Sequence, residues 1–328
     1  MSRTDLDCKD KLHELDSLKN EKFERILSAQ TIDKDLLKEA SWNGIPKSHR
    51  PLVWKILLGY ISGSKNREAS LLLKRQEYKD KVNHLFSTSV DHSTLHQIKI
   101  DVPRTFSSVR LFSYKCIQDS LIRILYCWAD RHPASSYVQG INDLVTPFFV
   151  VFLSEFVNNP QTCLENEIKQ HDLEIVEADS YWCLTKLIDN VQDNYTEGQP
   201  GIHRQINRLK TLMQRIDLPL YNHLESENVD YIQISFRWIN CFLMRELSIQ
   251  NIIRMWDTYL SEPAGFSDFH VYVCASFLEK WSHDLAKKEF QDIVLFLQRV
   301  PTSNWTVKEI EVLLAEAFMW KSIFHEIL

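Results

Sequence analysis

Two residues stand out for what their side chains could do together. Arg104 follows a proline in Ile98-Lys99-Ile100-Asp101-Val102-Pro103-Arg104-Thr105. Gln139 precedes a glycine in Tyr137-Val138-Gln139-Gly140, 35 residues beyond the arginine. A forked, permanently charged guanidinium can neutralise charge building on phosphoryl oxygens, and a carboxamide can orient an attacking water; these are the two groups most used to speed GTP hydrolysis. Pro103 pins the backbone just before the cation and is expected to push Val102 toward an extended conformation. An arginine held ready in this way loses little entropy on docking, as a finger acting in trans requires. Gly140 lets the chain turn tightly or meet a ligand closely beside the carboxamide. Each residue also has a plain reading. Arg104 can be a solvated cation or the partner of Asp101, and Gln139 can start a helix after the Pro133-Ala134-Ser135-Ser136 loop.

Other chemistries find less support. The chain lacks G-x-x-x-x-G-K-[S/T], so it has no phosphate-cradling loop and is not expected to be a nucleotidase itself. It also lacks G-x-S-x-G and H-E-x-x-H, which disfavours the common serine hydrolases and zinc proteases. His171-Asp172 and His283-Asp284 each resemble a metal-binding dyad, but such sites need further ligands on neighbouring helices, so no metal is expected. A formal net charge of −6 argues against a nucleic-acid binder, which normally presents a basic face. The seven cysteines are scattered without a CxxC pair, which points to a reducing compartment and away from disulfides or zinc. The polar opening Met1-Ser2-Arg3-Thr4-Asp5 does not read as a signal peptide. The longest apolar run, Leu144 to Leu153, is about half a membrane span and contains Pro147, so direct membrane insertion is not expected.

The elements that must position these residues read as helices. Only 7 glycines occur in 328 residues, and sheet-rich folds spend glycine on hairpins and bulges. Residues 64–86 place Leu71, Tyr78, Val82 and Leu85 on one face, and residues 114–130 form another striped segment. The repeat of Ile232, Phe236, Ile239, Leu243 and Leu247 predicts a helix over 232–247. Ser248 then reads as the N-cap of a further helix, and Thr306-Val307-Lys308-Glu309 has the form of a capping box. Residues 158–179 carry six carboxylates against Lys169 and read as an exposed acidic connection; 193–201 read as a second loop. The expected organisation is a lead-in over 1–40, an N-terminal lobe over 41–157 with both motifs, the connection over 158–179, and a C-terminal lobe over 180–328.

Upstream, Gly44-Ile45-Pro46-Lys47-Ser48-His49-Arg50-Pro51-Leu52-Val53-Trp54 supplies Arg-x-x-x-Trp. Together with Ile98-x-x-Asp101-x-x-Arg104 and Tyr137-x-Gln139-Gly140, in that order, it resembles the three signature motifs of the TBC-domain Rab GTPase-activating proteins. Phe236-Arg237-Trp238, Arg245-Glu246 and Arg254-Met255-Trp256-Asp257 look like the family's C-terminal landmarks, and the resemblance covers about residues 40–290. It implies an all-α fold of two packed lobes forming a TBC-type domain. It implies that Arg104 is the catalytic arginine and Gln139 the catalytic glutamine, with Asp101 and Tyr137 orienting the pair and Gly140 completing the second motif. Arg50 and Trp54 would scaffold the arginine loop, Trp54, Trp238 and Trp256 would be core, and Arg254 with Asp257 would form a structural ion pair. The implied partner is a GTP-bound Rab-family GTPase, docked mainly on the N-terminal lobe; magnesium and GTP would belong to that complex, leaving this chain no cofactor. The pattern is most similar to the Golgi-associated branch related to the yeast Gyp-type enzymes. That implies a cytoplasmic regulator of vesicle traffic, recruited to Golgi or vesicle membranes through partners. A catalytically silent scaffold or Rab-binding module is the alternative, and a helical interaction protein unrelated to GTPases is a third.

Overall fold

The computed structural model describes residues 3–64, 67–88 and 91–325, with side chains described from residue 16. Among the described residues the structure is helical and has no strand; one isolated bridge joins Thr31 to Ser64. The first half comprises α1 (Arg3–Ser28), α2 (Lys34–Trp42), α3 (Arg50–Leu57), α4 (Arg67–Ser87), α5 (His92–Asp101), α6 (Lys115–Arg131), α7 (Ile141–Leu144), α8 (Thr146–Leu153) and α9 (Gln170–Asp189). The second comprises α10 (Pro200–Ile216), α11 (Leu218–Ser226), α12 (Tyr231–Asn240), α13 (Ile249–Ser261), α14 (His270–Glu279), α15 (Ser282–Leu285), α16 (Phe290–Gln298) and α17 (Val307–Phe324).

Side-chain caps set many of the boundaries, because the first N–H groups of a helix have no partner inside it. Asp33 accepts from Asp35 and Leu36 ahead of α2, and Asp91 accepts from Ser93 ahead of α5. Ser248 caps α13 by accepting from the Asn251 amide at 3.3 Å, and the expected capping box at Thr306 forms with Glu309. The helix expected over 232–247 stops at Asn240. There the chain turns through Phe242 and Leu243, both left-handed at φ 49° and 57°. The apolar period continued through this turn because both side chains are fully buried whatever the backbone does.

Helices α2 to α9 pack as one lobe and α10 to α17 as the other, with α13 forming the seam. It lies against α2, α3 and α8 on one side and against α17 on the other. Trp54 of α3, Phe148 of α8 and Trp256 of α13 meet there, with ring centroids 5.3 to 5.9 Å apart. Large aromatics of this kind dominate core energetics.

The acidic connection is shorter than its composition implied. Residues 154–169 link α8 to α9, but 170–179 lie within α9, which packs on α4, α6 and α8 of the first lobe. Two of the six carboxylates are buried. Glu177 is held by Arg123 at 2.6 Å and by the Tyr78 hydroxyl at 2.8 Å. Asp179 accepts from Tyr60, Arg75 and Lys55 at 2.7 to 2.8 Å. Their cationic partners lie more than 50 residues upstream in the sequence, so a local count of charge could not reveal them.

Candidate functional site

The arginine sits where α5 tightens into a single 3-10 turn over Val102–Arg104. Val102 is helical (φ −55°, ψ −46°), not extended as the proline after it suggested. Pro103 falls in the first turn of the 3-10 helix, where its missing N–H costs nothing. Thr105 closes the turn through its amide to the Val102 carbonyl at 3.1 Å and through its hydroxyl to the Asp101 carbonyl at 3.1 Å. Phe106 then adopts φ 42°, a region that bulky residues seldom enter. The Arg104 side chain is exposed and has no hydrogen-bond or ion-pair partner among the described residues. Asp101 is buried and is engaged elsewhere, accepting from the Tyr137 hydroxyl at 2.9 Å and from Gln97 at 3.2 Å.

Gln139 lies on a loop between Ser136, at φ 53°, and Gly140, at φ 112°. Its side chain is exposed and unpartnered among the described residues, and helix α7 starts only at Ile141. Gly140 is required on two counts. Its φ disfavours any other residue, and a Cβ there would stand 2.5 Å from Nδ2 of Asn240. Asn142 binds the two loops to each other. Its Oδ1 accepts the Gly140 amide at 2.9 Å and lies 3.2 Å from the Tyr137 hydroxyl, while its Nδ2 donates to Thr105 Oγ1 at 2.8 Å. Burial, reinforced by the charge of Asp101, pushes the Tyr137 phenol well above its ordinary value, so it remains a hydrogen-bond donor at neutral pH.

These loops form one wall of a cleft of about 410 Å³ into which Arg104 and Gln139 both face. The opposite wall comes from the second lobe, through Met244, Arg245 and Leu247. Arg245 donates to Asp143 at 2.9 Å; burial raises the Asp143 carboxyl, and Arg245 opposes that shift. Of the six left-handed non-glycine residues described, Phe106 lines the cleft, Ser136 lies three residues before Gln139, and Phe242 and Leu243 lie in the buried turn just before Met244 and Arg245. Such conformations cost about 1–3 kcal/mol each and persist where the surrounding packing imposes them.

Arg50 and Trp54 do not line the cleft. They share a face of α3, one turn apart, and both donate to the fully buried Asp257 of α13. Arg50 Nη2 reaches Asp257 at 3.0 Å, Trp54 Nε1 at 2.8 Å, and the Ile45 amide at 2.9 Å. The ion pair expected between Arg254 and Asp257 is replaced by this arrangement, because Asp257 points inward to α3. Arg254 donates to Thr258 at 2.9 Å and faces Glu311 at 3.5 Å. Trp238 and Trp256 are core residues, as expected.

Sequence reasoning missed Asn142, Asn240 and the ion pair of Arg245 with Asp143. Asn142 left little local signal, since the turns that asparagine favours reach backbone two residues on, whereas its Oδ1 here accepts the amide two residues back. Asn240 left none, because its target lies 101 residues earlier in the chain.

The sequence profile of the Rab-GTPase-TBC domain matches residues 47–286. The chain is 54% identical over 315 residues to the GTPase-activating protein gyp1 of Schizosaccharomyces pombe, covering 92% of this chain and 61% of that protein. It is 47% identical over 312 residues to human TBC1 domain family member 22B, covering 93% of this chain and 62% of the relative. The chain thus spans about three fifths of the length of these curated relatives. The crystal structure of the Ypt/Rab-GAP domain of Gyp1p superposes with a TM-score of 0.88 at 50% identity, over 94% of this chain and 99% of that one. A Chlamydomonas flagellar RabGAP TBC domain superposes at 0.67 with 17% identity, over 95% and 93% of the two chains, a likeness of fold alone.

Proposed function

This chain belongs to the Rab-GTPase-TBC domain family, and from that premise we propose that it accelerates GTP hydrolysis by a GTP-bound Rab-type small GTPase. The observation that supports this most is the pairing of Arg104 with Gln139. Both side chains are exposed and unpartnered among the described residues, and they face one cleft from loops braced by Asp101, Tyr137 and Asn142. Small GTPases are slow because charge builds on the phosphoryl oxygens and the attacking water is poorly held. Arg104 enters the partner's nucleotide site and neutralises charge between the transferring and leaving groups, worth about 10³–10⁵ in rate for such fingers. Gln139 orients the water. Tyr137 and Asp101 keep the two arms apart and ready, which lowers the entropy lost on docking. Magnesium and nucleotide belong to the partner, and this chain needs no cofactor of its own. The likeness to Gyp-type proteins supports a place in vesicle traffic at Golgi membranes, reached through partners. No helix among the described residues is long and apolar enough to cross a membrane.

Single-turnover hydrolysis across a panel of GTP-loaded Rab proteins tests the reading. Acceleration of at least one Rab, abolished by Arg104→Ala, is the expected result. Binding without acceleration identifies a silent Rab-binding module, and neither binding nor acceleration removes the GTPase from the account.

A further inference from the structure

The loop that carries Gln139 belongs to the N-terminal lobe, yet the C-terminal lobe closes around its backbone. Asn240 Nδ2 donates to the Gln139 carbonyl at 3.1 Å and occupies the space that any side chain at position 140 would need. Arg245 donates to the Asp143 carboxylate, three residues beyond Gly140, at 2.9 Å. Both donors come from the end of α12 and the turn that leaves it for α13. That turn holds two consecutive bulky residues, Phe242 and Leu243, in left-handed conformations. Asn240 Oδ1 is buried without a hydrogen-bond partner among the described residues. Backbone strain and an unsatisfied buried acceptor both oppose folding and persist where the surrounding structure demands the geometry. The arginine turn is braced differently, by Asn142 of its own lobe.

We propose that Asn240, with Arg245 beside it, is a positioning residue for Gln139. The turn over 240–245 sets the glutamine arm from the C-terminal lobe, and the N-terminal lobe alone sets the arginine arm. The hydrolytic half of this proposal rests on the reading of Gln139 as a group acting on a partner GTPase; the structural half does not. Two measurements on the full chain therefore test it separately.

The first is amide hydrogen exchange of the free protein. Asn240→Ala should speed exchange at residues 140–143 by about tenfold while leaving 102–105 within about twofold, since local opening follows the local hydrogen bonds. Unchanged exchange at 140–143, or an equal rise at both loops, overturns the proposal. The second is a kinetic cycle with a Rab that the wild-type chain accelerates. Asn240→Ala should lower kcat about tenfold with KM within about twofold, and should cause no further loss when Gln139 is already alanine, because coupled residues are not additive. Asn240→Asp, which keeps the shape and loses the donor, should behave like the alanine variant. Additive losses in the cycle, or full activity of Asn240→Asp, overturn the positioning role. If the wild-type chain accelerates no Rab, the functional reading falls and the exchange result alone decides the structural claim. Should Asn240→Ala fail to fold, Arg245→Gln at the cleft rim replaces it in both measurements with the same expected outcomes.

Discussion

The Tyr137 hydroxyl donates to Oδ2 of Asp101 across 2.9 Å, and Asp101 is the carboxylate closest in sequence to Arg104. Without that donor the buried acid, three residues before an unpartnered guanidinium, would be freer to turn toward it, since opposite charges attract. If Arg104 acts as a finger, the expected effect of this bond is to hold the Asp101 side chain toward Tyr137 and so limit its pull on the arginine.

Tyr137→Phe should therefore impair Arg104 without touching the GTPase directly. The expected loss of hydrolysis is about tenfold, with stability lower by about 1.5–3 kcal/mol from the lost bond to a charged acceptor. Adding Asp101→Asn removes the competing charge and should restore much of the rate. Stopped-flow phosphate release on the single and double variants checks this, and a double variant no faster than Tyr137→Phe alone would refute the protective role.

Arg104→Lys should fail almost as badly as Arg104→Ala, because an ammonium cannot reproduce the planar fork. Both variants should melt close to the wild type, since the side chain is exposed and bonds to nothing described. Retention of more than about a tenth of the activity by Arg104→Ala is incompatible with a finger, given the losses typical of such residues.

Gln139 should act in trans. Replacing a GTPase's own switch glutamine with leucine normally blocks an activator that supplies only an arginine. A chain that brings both groups should still accelerate the leucine form of a cognate Rab, and Gln139→Ala should abolish that activity. Complete resistance of the leucine form, with normal acceleration of the unmodified GTPase, would leave Gln139 a structural residue.

Trp54→Ala should cost about 3–5 kcal/mol, as large-to-small changes in a packed core do. The ring is fully buried against Trp256 and Phe148, and its removal also strips a donor from Asp257. Urea denaturation gives the figure. Lost activity with an unchanged midpoint would instead place Trp54 at the partner surface, contrary to its burial.

Acid should weaken the C-terminal lobe through His270. Burial lowers its pKa from 6.5 to about 4, only partly offset by the bond to the Trp238 carbonyl at 3.0 Å; the Tyr259 hydroxyl lies 2.8 Å from the other ring nitrogen. The unfolded chain then binds more protons between those two values. Stability due to this group is complete above pH 6.5 and falls as pH drops toward 4, by roughly 3 kcal/mol in all. His270→Gln should flatten the dependence of melting temperature on pH over that interval. An unchanged slope would assign the acid sensitivity to other groups.

The motif residues themselves, the helical class and the caps at Ser248 and Thr306 were legible because each depends on neighbours within a few positions. What escaped reading was long-range. Glu177 and Asp179 looked like solvated acids because Arg123, Arg75 and Lys55 are distant in sequence. Asp257 looked like a partner for Arg254, one turn away, because the competing donors on α3 lie about 200 residues earlier. The second wall of the cleft was missed for the same reason. Arg245 and Asn240 meet the glutamine loop only once the lobes have packed.

The carboxylate at 257 also bears on how such chains diverge. It gathers donors from Ile45, Arg50 and Trp54 and so ties the first motif to the architecture, whereas Arg104 and Gln139 contribute no described side-chain bond to it. Mutations that erase the two arms are therefore nearly free for folding, and mutations at Arg50, Trp54 or Asp257 are not. If the two arms carry the proposed chemistry, it could be discarded in a single step with the fold and its surface left intact. On the proposed function, the first motif would then follow the fold, and only the other two would report whether the reaction survives.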